Sequence, residues 1–453
     1  MSSTFILTNF GLRYVGELLK TDALARSQVE ADTRLLLDLY TGLTAPDRDD
    51  DLHRDLIARG LIERVSETMS RDDIDLRYHR NPLEHVERII VEFTTCCNFN
   101  CAHCYNATVP RVIERDVAAL TAAADTLLAI GLRRFDFIGG EVSKYGTGWL
   151  DLARHIRSRS ADSIIALYTN GWWLEQQNFW AAGHTYADVP AYLVDLKAHG
   201  VSHITFSLDG PGSEHDQSRH QPGLYDRILN GLAQVRAAGL QPRVSLLARS
   251  LEPYSPRFIA WLAEIADRVY DFPPETARSE RALRLFEDRT NSFSHFIDIG
   301  NGAACGENGF RLADIPDDRL YCRGFYRPAP SLTIKASGEV ATCRITNAGE
   351  GYGNLHEQPL IDILNHLQEA FVFRLHAERR LADYRRFVDP EIFGNAIGHL
   401  CTYRAILTLL ARRMHEEQID PDDGAAIRRL NLEVARLTGH ATGQAHGQNH
   451  STG

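Results

Sequence analysis

Between residues 86 and 248 the chain alternates short apolar runs with longer amphipathic stretches. RIIVEF (88–93), RRFDFIGG (133–140), SIIALYTNG (163–171), SHITFSLDG (202–210) and PRVSLLA (242–248) are rich in β-branched and aromatic residues. Most of them stop in a polar or Gly-containing turn, and together they predict five strands. Between them, stretches such as DVAALTAAADTLLAIG (116–131), AYLVDLKAHG (191–200) and LYDRILNGLAQVRAAG (224–239) repeat apolar residues at helical spacing and end in Gly, the usual helix stop. Strand and helix in alternation predict βαβ units and a parallel sheet, an α/β fold open or curled toward a barrel. Chemistry in such sheets gathers at the carboxyl ends of the strands.

The flanks have another texture. In residues 1–85, EADTRLLLDLYTGL and DDDLHRDLIARGLIERVSE place Leu and Ile at helical spacing, and the second closes on Gly60 and a short β-like run. The pattern predicts a small helical module, either winged-helix-like or a packing appendage. Residues 299–439 carry short strand-like runs, Gly-containing turns, widely spaced cysteines and a helical pair, LCTYRAILTLLARRMHEEQ and DGAAIRRLNLEVARL. The last stretch, 440–453, is small and polar and reads as a disordered tail.

Composition narrows the function. The 453 residues are 44% hydrophobic and 24% charged, a globular balance. A net charge of -11 excludes a generic nucleic-acid binder and suits a cationic partner. The N-terminus shows no basic segment followed by an apolar core, and no run of about 18 apolar residues occurs. The expectation is therefore a cytoplasmic chain without a membrane partner, in which clustered cysteines stay reduced and serve as ligands.

Four of the eight cysteines fall within CCNFNCAHCY, from Cys96 to Tyr105, directly after the first strand of the alternating region. Cys97, Cys101 and Cys104 stand in a C-x3-C-x2-C spacing; Cys96 falls outside it and is expected to pack at the strand end. Three thiolates on one loop can hold three irons of a 4Fe-4S cube and leave the fourth open for chemistry. A zinc site is the alternative, although zinc cysteines come mostly as C-x2-C pairs.

The spacing, with Tyr105 beside the last Cys, resembles the radical S-adenosylmethionine (radical SAM) superfamily. FIGGEV, YTNG, FSLDG and HDQSRHQPGLYD, each after a strand run, resemble further motifs of that family in the right order. The resemblance implies a partial (β/α)6 barrel over 86–298. It also implies a SAM site that includes Tyr105, Gly139, Gly140, Glu141, Thr169, Asn170, Ser207 and Asp209. Glu141 is expected to accept hydrogen bonds from the SAM ammonium and Arg219 to grip its carboxylate. His220 stands where the family has Gly.

Downstream, Cys322, Gly338 and Cys343 with the later GNL of GYGNLHEQP resemble the twitch or SPASM auxiliary domain. This resemblance implies a C-terminal α+β domain with a second 4Fe-4S cluster on Cys305, Cys322, Cys343 and Cys401. The wording around GGEV, TNGWW and SLDG is similar to radical SAM diol-dehydratases of aminoglycoside antibiotic biosynthesis. That likeness implies loss of water from a paromamine-like amino sugar, an external donor such as flavodoxin or ferredoxin, and a separate reductase for the product. Lys144 and Tyr145 are candidate acid–base groups. Maturation of a ribosomal peptide held by residues 1–85 is the alternative.

Overall fold

The computed structural model describes residues 3–20, 31–42, 45–46, 50–66, 83–84, 86–112, 116–247, 251, 255–288, 291–293, 310–311, 315, 317–320, 331–341, 351–394, 396–397, 400–438 and 440. At the N-terminus β1 (Ser3–Leu7) is the middle strand of a three-stranded antiparallel sheet, between β2 (Ala45–Pro46) and β3 (Ile62–Ser66). Helices Asn9–Lys20, Ala31–Gly42 and Asp51–Ala58 complete the module. The helical pattern does not anticipate β1. Phe5, Ile6 and Leu7 are all buried, and pairing on both edges makes a strand of a short apolar run too brief to show a period.

This module is not an independent appendage. The Asn9 amide donates to the carbonyls of Leu364 and Asn365, both at 3.2 Å, and Arg13 Nε donates to the Ile130 carbonyl at 3.1 Å. Ile130 leads into the amino end of a central strand, so the module docks at the end of the main sheet opposite the one where parallel strands place their chemistry.

The main sheet begins with β4 (Arg88–Thr94), β5 (Arg134–Gly139) and β6 (Ile164–Thr169). A small antiparallel hairpin, β7 (Phe179–Ala181) and β8 (His184–Tyr186), follows. The sheet continues through β9 (His203–Leu208), β10 (Gln241–Leu246) and the two-residue β11 (Ser292–Phe293). All six central strands pair in parallel, in chain order from β4 to β11. Helices between them, among them Val117–Ala129, Trp149–Arg159, Val189–Ala198 and Leu224–Ala237, make the crossovers. Six parallel strands in sequential order are the arrangement of an incomplete α/β barrel.

After β12 (Phe310–Arg311) the chain returns to this sheet. β13 (Ser331–Ile334) pairs in parallel with β4, and β14 (Glu339–Ala341) and β15 (Gly353–Asn354) extend it antiparallel to nine strands. Gly338, at φ +86, makes the β13–β14 turn, where a Cβ would stand 2.5 Å from Asn354 Oδ1. The Leu355 amide donates to the Gly338 carbonyl at 2.9 Å, so Gly338 and the GNL turn meet. β16 (Ala396–Ile397) pairs with β12, and helices Leu400–Glu416 and Gly424–Thr438 follow.

Burial divides the chain differently from the sequence texture. One core runs from Phe5 through the barrel to Phe373 and takes in the N-terminal module and the β13–β15 extension. A second gathers Ile315, Leu320 and residues from Leu375 to Ala435 around the last two helices. Among the described residues no helix is long and apolar enough to cross a membrane. The expected tail beyond residue 440 lies outside the described residues.

Candidate functional site

β4 delivers the Cys loop, and four hydrogen bonds close its stem. Thr94 Oγ1 donates to the Val112 carbonyl at 2.6 Å, and Thr95 Oγ1 donates to the Pro110 carbonyl at 2.7 Å. The Thr95 and Val112 segments exchange two more through their amides. The end of β5 locks onto the same stem: the Gly140 amide donates to the Thr94 carbonyl at 2.7 Å and the Glu141 amide to the Cys96 carbonyl at 2.8 Å. A Cβ at Gly139 would lie 2.2 Å from the Thr94 carbonyl oxygen, and one at Gly140 only 2.0 Å from that of Cys96. The glycines thus let two strand ends meet, a requirement set by the protein before any ligand arrives.

The far side of the loop rests on the helix Ser213–Arg219. The Ala102 amide donates to the Ser218 carbonyl at 2.9 Å, and His103 Nδ1 lies 2.9 Å from Ser218 Oγ. Loop and strand ends enclose a cavity of about 330 Å³. Cys97, Cys101, Cys104 and Tyr105 line it from the loop. Gly139, Gly140, Thr169, Asn170, Ser207, Asp209 and Arg219 line it from the strand ends and the helix. Cys96 is 3% exposed at the end of β4 and is not among the lining residues.

Burial pushes the Cys97 and Cys101 thiols up to about 11 and raises Cys104 as well, Glu141 adding to the effect at Cys97 and Arg219 opposing it at Cys101. Thiols held up in this way become ligands when a metal's charge replaces their protons. Cys97 Sγ already accepts from the Phe99 amide at 3.4 Å and Asn170 Nδ2 at 3.6 Å. Among the described residues no three His, Cys, Asp or Glu groups come together as a single-ion site. Three thiols spread along one wall of a cavity instead fit a cluster with three protein ligands.

Two charged residues of the expected site have protein partners in this structure. Glu141 is fully buried outside the cavity lining. One carboxylate oxygen accepts from Ser143 Oγ and from Thr169 Oγ1 at 2.8 Å, and the other accepts from the Asn170 amide at 2.7 Å. Burial raises its pKa against the pull of those bonds. Its carboxylate ties β5 to β6. Arg219 lines the cavity but grips Asp209 in a fork, Nε to Oδ2 at 2.6 Å and Nη2 to Oδ1 at 2.9 Å. Nη1 stays outside this fork.

The acid–base candidates are placed away from the cavity too. Lys144 Nζ sits 4.5 Å above the Trp172 ring, and neither Lys144 nor Tyr145 lines the cavity. The motifs did not flag His103, Arg111, Tyr168 and Ser245, which do line it. For Tyr168 and Ser245 the signal was the two-residue strand period, which puts them on one face with Ile138 and Ser207. Of the auxiliary cysteines, Cys305, Cys322 and Cys343 lie outside the described residues, and Cys401 falls in the helix Leu400–Glu416.

His220 caps the helix Ser213–Arg219 in left-handed backbone, φ 54 and ψ 40. A side chain there is strained, which explains why Gly suits the position. His220→Gly is expected to stabilise the chain by about 0.5 kcal/mol, read as a small rise in thermal midpoint; a fall would contradict the strain.

A parallel-strand barrel whose first loop brings three thiols to a cavity at the strand ends defines the class as an α/β fold with a cysteine-lined site. Residues 91–248 match the family model described as the radical SAM superfamily. Members of that superfamily are enzymes. The chain is similar to the AdoMet-dependent heme synthase of Methanosarcina barkeri, 24% identical over 352 residues, 70% of this chain and 88% of that one. It is also similar to GTP 3',8-cyclase 2 of Pseudomonas aeruginosa, 28% identical over 33% of this chain and 41% of that one. Among solved structures, Streptococcus suis SuiB bound to precursor peptide SuiA shares 12% identity at a TM-score of 0.45, over 77% of this chain and 75% of that chain.

Proposed function

We propose that the chain binds a 4Fe-4S cluster on Cys97, Cys101 and Cys104 and SAM in the adjoining cavity, and abstracts hydrogen from a small hydroxylated substrate in the barrel lumen. The observation that carries this is the placement of all three thiols on one cavity wall beside the carboxyl ends of parallel strands. When bound, cluster and SAM supply one-electron cleavage of a sulfonium C–S bond and so a 5'-deoxyadenosyl radical.

The chain's own residues divide the remaining tasks. Asn170 steadies Cys97 and Asn98 through its amide. The Asp209–Arg219 pair supports the wall behind Cys101. Arg219 and Arg111, both at the cavity, are the guanidinium groups offered to the SAM carboxylate. Tyr168 and His103 face the cavity and take the proton-transfer roles first assigned to Lys144 and Tyr145.

Polar lumen residues, including Tyr168, Ser207 and Ser245, support a small hydroxylated substrate, and dehydration of a vicinal diol is the reaction carried forward from the resemblance. The keto product would then pass to a separate reductase, and flavodoxin or ferredoxin would supply electrons. Contact between Gly338 and the GNL turn supports an auxiliary 4Fe-4S cluster on Cys305, Cys322, Cys343 and Cys401. The peptide alternative, which needs residues 1–85, gains no support from their described part, which docks at the opposite end of the sheet.

The test is anaerobic reconstitution of the full chain followed by reduction with SAM and a panel of diols, paromamine among them. About eight irons per chain, 5'-deoxyadenosine and loss of water from one diol are expected. Stoichiometric zinc without iron would refute the reading.

A further inference from the structure

Below the cavity, and not among the residues that line it, the lumen holds a buried cation that makes no hydrogen bond among the described residues. Strand side chains alternate, so Arg243 lies on the face of β10 that Ser245 presents to the cavity. Arg243 is 2% exposed, and its Nε, Nη1 and Nη2 make no hydrogen bond among the described residues. Thr205 is its register partner on β9, and Thr205 Oγ1 is likewise buried without a partner.

Asp136 and Asp288 lie near enough to attract this charge, but none of the nearby carboxylates accepts a hydrogen bond from it among the described residues. Asp136, 1% exposed, accepts from Arg88 at 3.4 Å, Arg134 at 3.3 Å and Tyr168 at 3.5 Å. Asp288 accepts from the Tyr270 hydroxyl at 2.5 Å. Glu92 accepts from the Ala336 amide at 3.0 Å and from Asn106 at 3.4 Å. Burial, with Arg243 and Arg134 nearby, pushes His203 down to about 3, so it is neutral at working pH. Each nearby carboxylate hydrogen-bonds to other groups, and the donors of the buried guanidinium are left without acceptor oxygens among the described residues. A planar fork of donors matches the paired oxygens of a carboxylate or phosphate.

We propose that Arg243 anchors an oxyanionic group of the substrate, so that the molecule attacked is an acidic hydroxylated compound such as a sugar acid or sugar phosphate. This rests on the reading above that substrate enters the lumen below SAM. The overall charge of -11 favoured a cationic amino sugar; the local arrangement favours the opposite sign, since an ammonium group would meet Arg243 where an oxyanion would satisfy it.

Thermal unfolding of the reconstituted full chain with SAM tests this, with gluconate, glucose 6-phosphate, glucose and glucosamine as probes. At least one acidic sugar should raise the midpoint where glucose and glucosamine do not; gluconate alone assigns a carboxylate and glucose 6-phosphate alone a phosphate. Arg243→Met should weaken the response about 10- to 100-fold and Arg243→Lys should retain part of it. Without a probe, Arg243→Met should unfold no earlier than the parent, because it removes an unsatisfied buried charge. No response to either acidic sugar, an equal response to glucose or glucosamine, an undiminished response in Arg243→Met, or early unfolding of that variant alone would each overturn the proposal. Iron content and 5'-deoxyadenosine from the same preparation report on the cluster and SAM separately, so a chain that loads iron and cleaves SAM but shows no anion preference defeats only the Arg243 anchor.

Discussion

Alanine at Cys97, Cys101 or Cys104, one at a time, is expected to remove about four irons per chain and to reduce 5'-deoxyadenosine formation below detection, whereas Cys96→Ala leaves both within about twofold of the parent. Three protein ligands are the minimum that holds a cube while leaving an iron open, so no member of the set is dispensable. Cys96 differs by position: its amide donates to Thr94 Oγ1 at 3.0 Å, its carbonyl accepts from Glu141, and it does not line the cavity. Both are backbone bonds that Ala preserves. Loss of the same irons in Cys96→Ala would show that the assignment of ligands within CCNFNCAHCY is wrong.

Asp209→Ala is expected to destabilise the chain by about 3 to 5 kcal/mol, because Arg219, 7% exposed, would be left as a buried cation without its carboxylate. The effect should reach the Cys loop as well, since His103 Nε2 lies 3.6 Å from Asp209 and the same helix carries Ser218. Burial alone would raise the Asp209 pKa, but Arg219 and His103 outweigh it and hold it at about 2, below the unfolded value of about 4. A depressed folded value means that this contribution is fully present above about pH 4 and is lost as pH falls through about 2. Acid unfolding of the parent should show that loss, and Asp209→Ala should lack it; identical acid profiles would refute the pairing as a source of stability.

The barrel was legible because its strands advertise themselves twice, by apolar runs and by the chemistry at their ends. All five strand runs became β4, β5, β6, β9 and β10 within one or two residues. β1 and β11 were hidden by brevity, since five and two residues give no period to read. The GGE and HDxxR stretches located the site but not the roles within it. Glu141 and Arg219 carry charges that look ready for a ligand, and only the folded chain shows Thr169, Asn170 and Asp209 claiming them first. Arg243 was invisible for the opposite reason: inside PRVSLLA one charged residue reads as a polar interruption, and its isolation emerges only when strands from distant parts of the chain surround it.

Glu92 sets a clock on assembly. It lies on β4 just before the Cys loop and accepts from Asn106 within that loop, yet its other bond comes from Ala336, 244 residues later. A ribosome adding roughly 5 to 20 residues per second needs on the order of 10 to 50 s to cover that distance. Through that interval one edge of β4 has no neighbour and the carboxylate beneath the thiol loop lacks half its support. Iron delivered to the nascent chain before that point would meet an unfinished cradle, so loading of the proposed cluster belongs after β13 has closed the sheet.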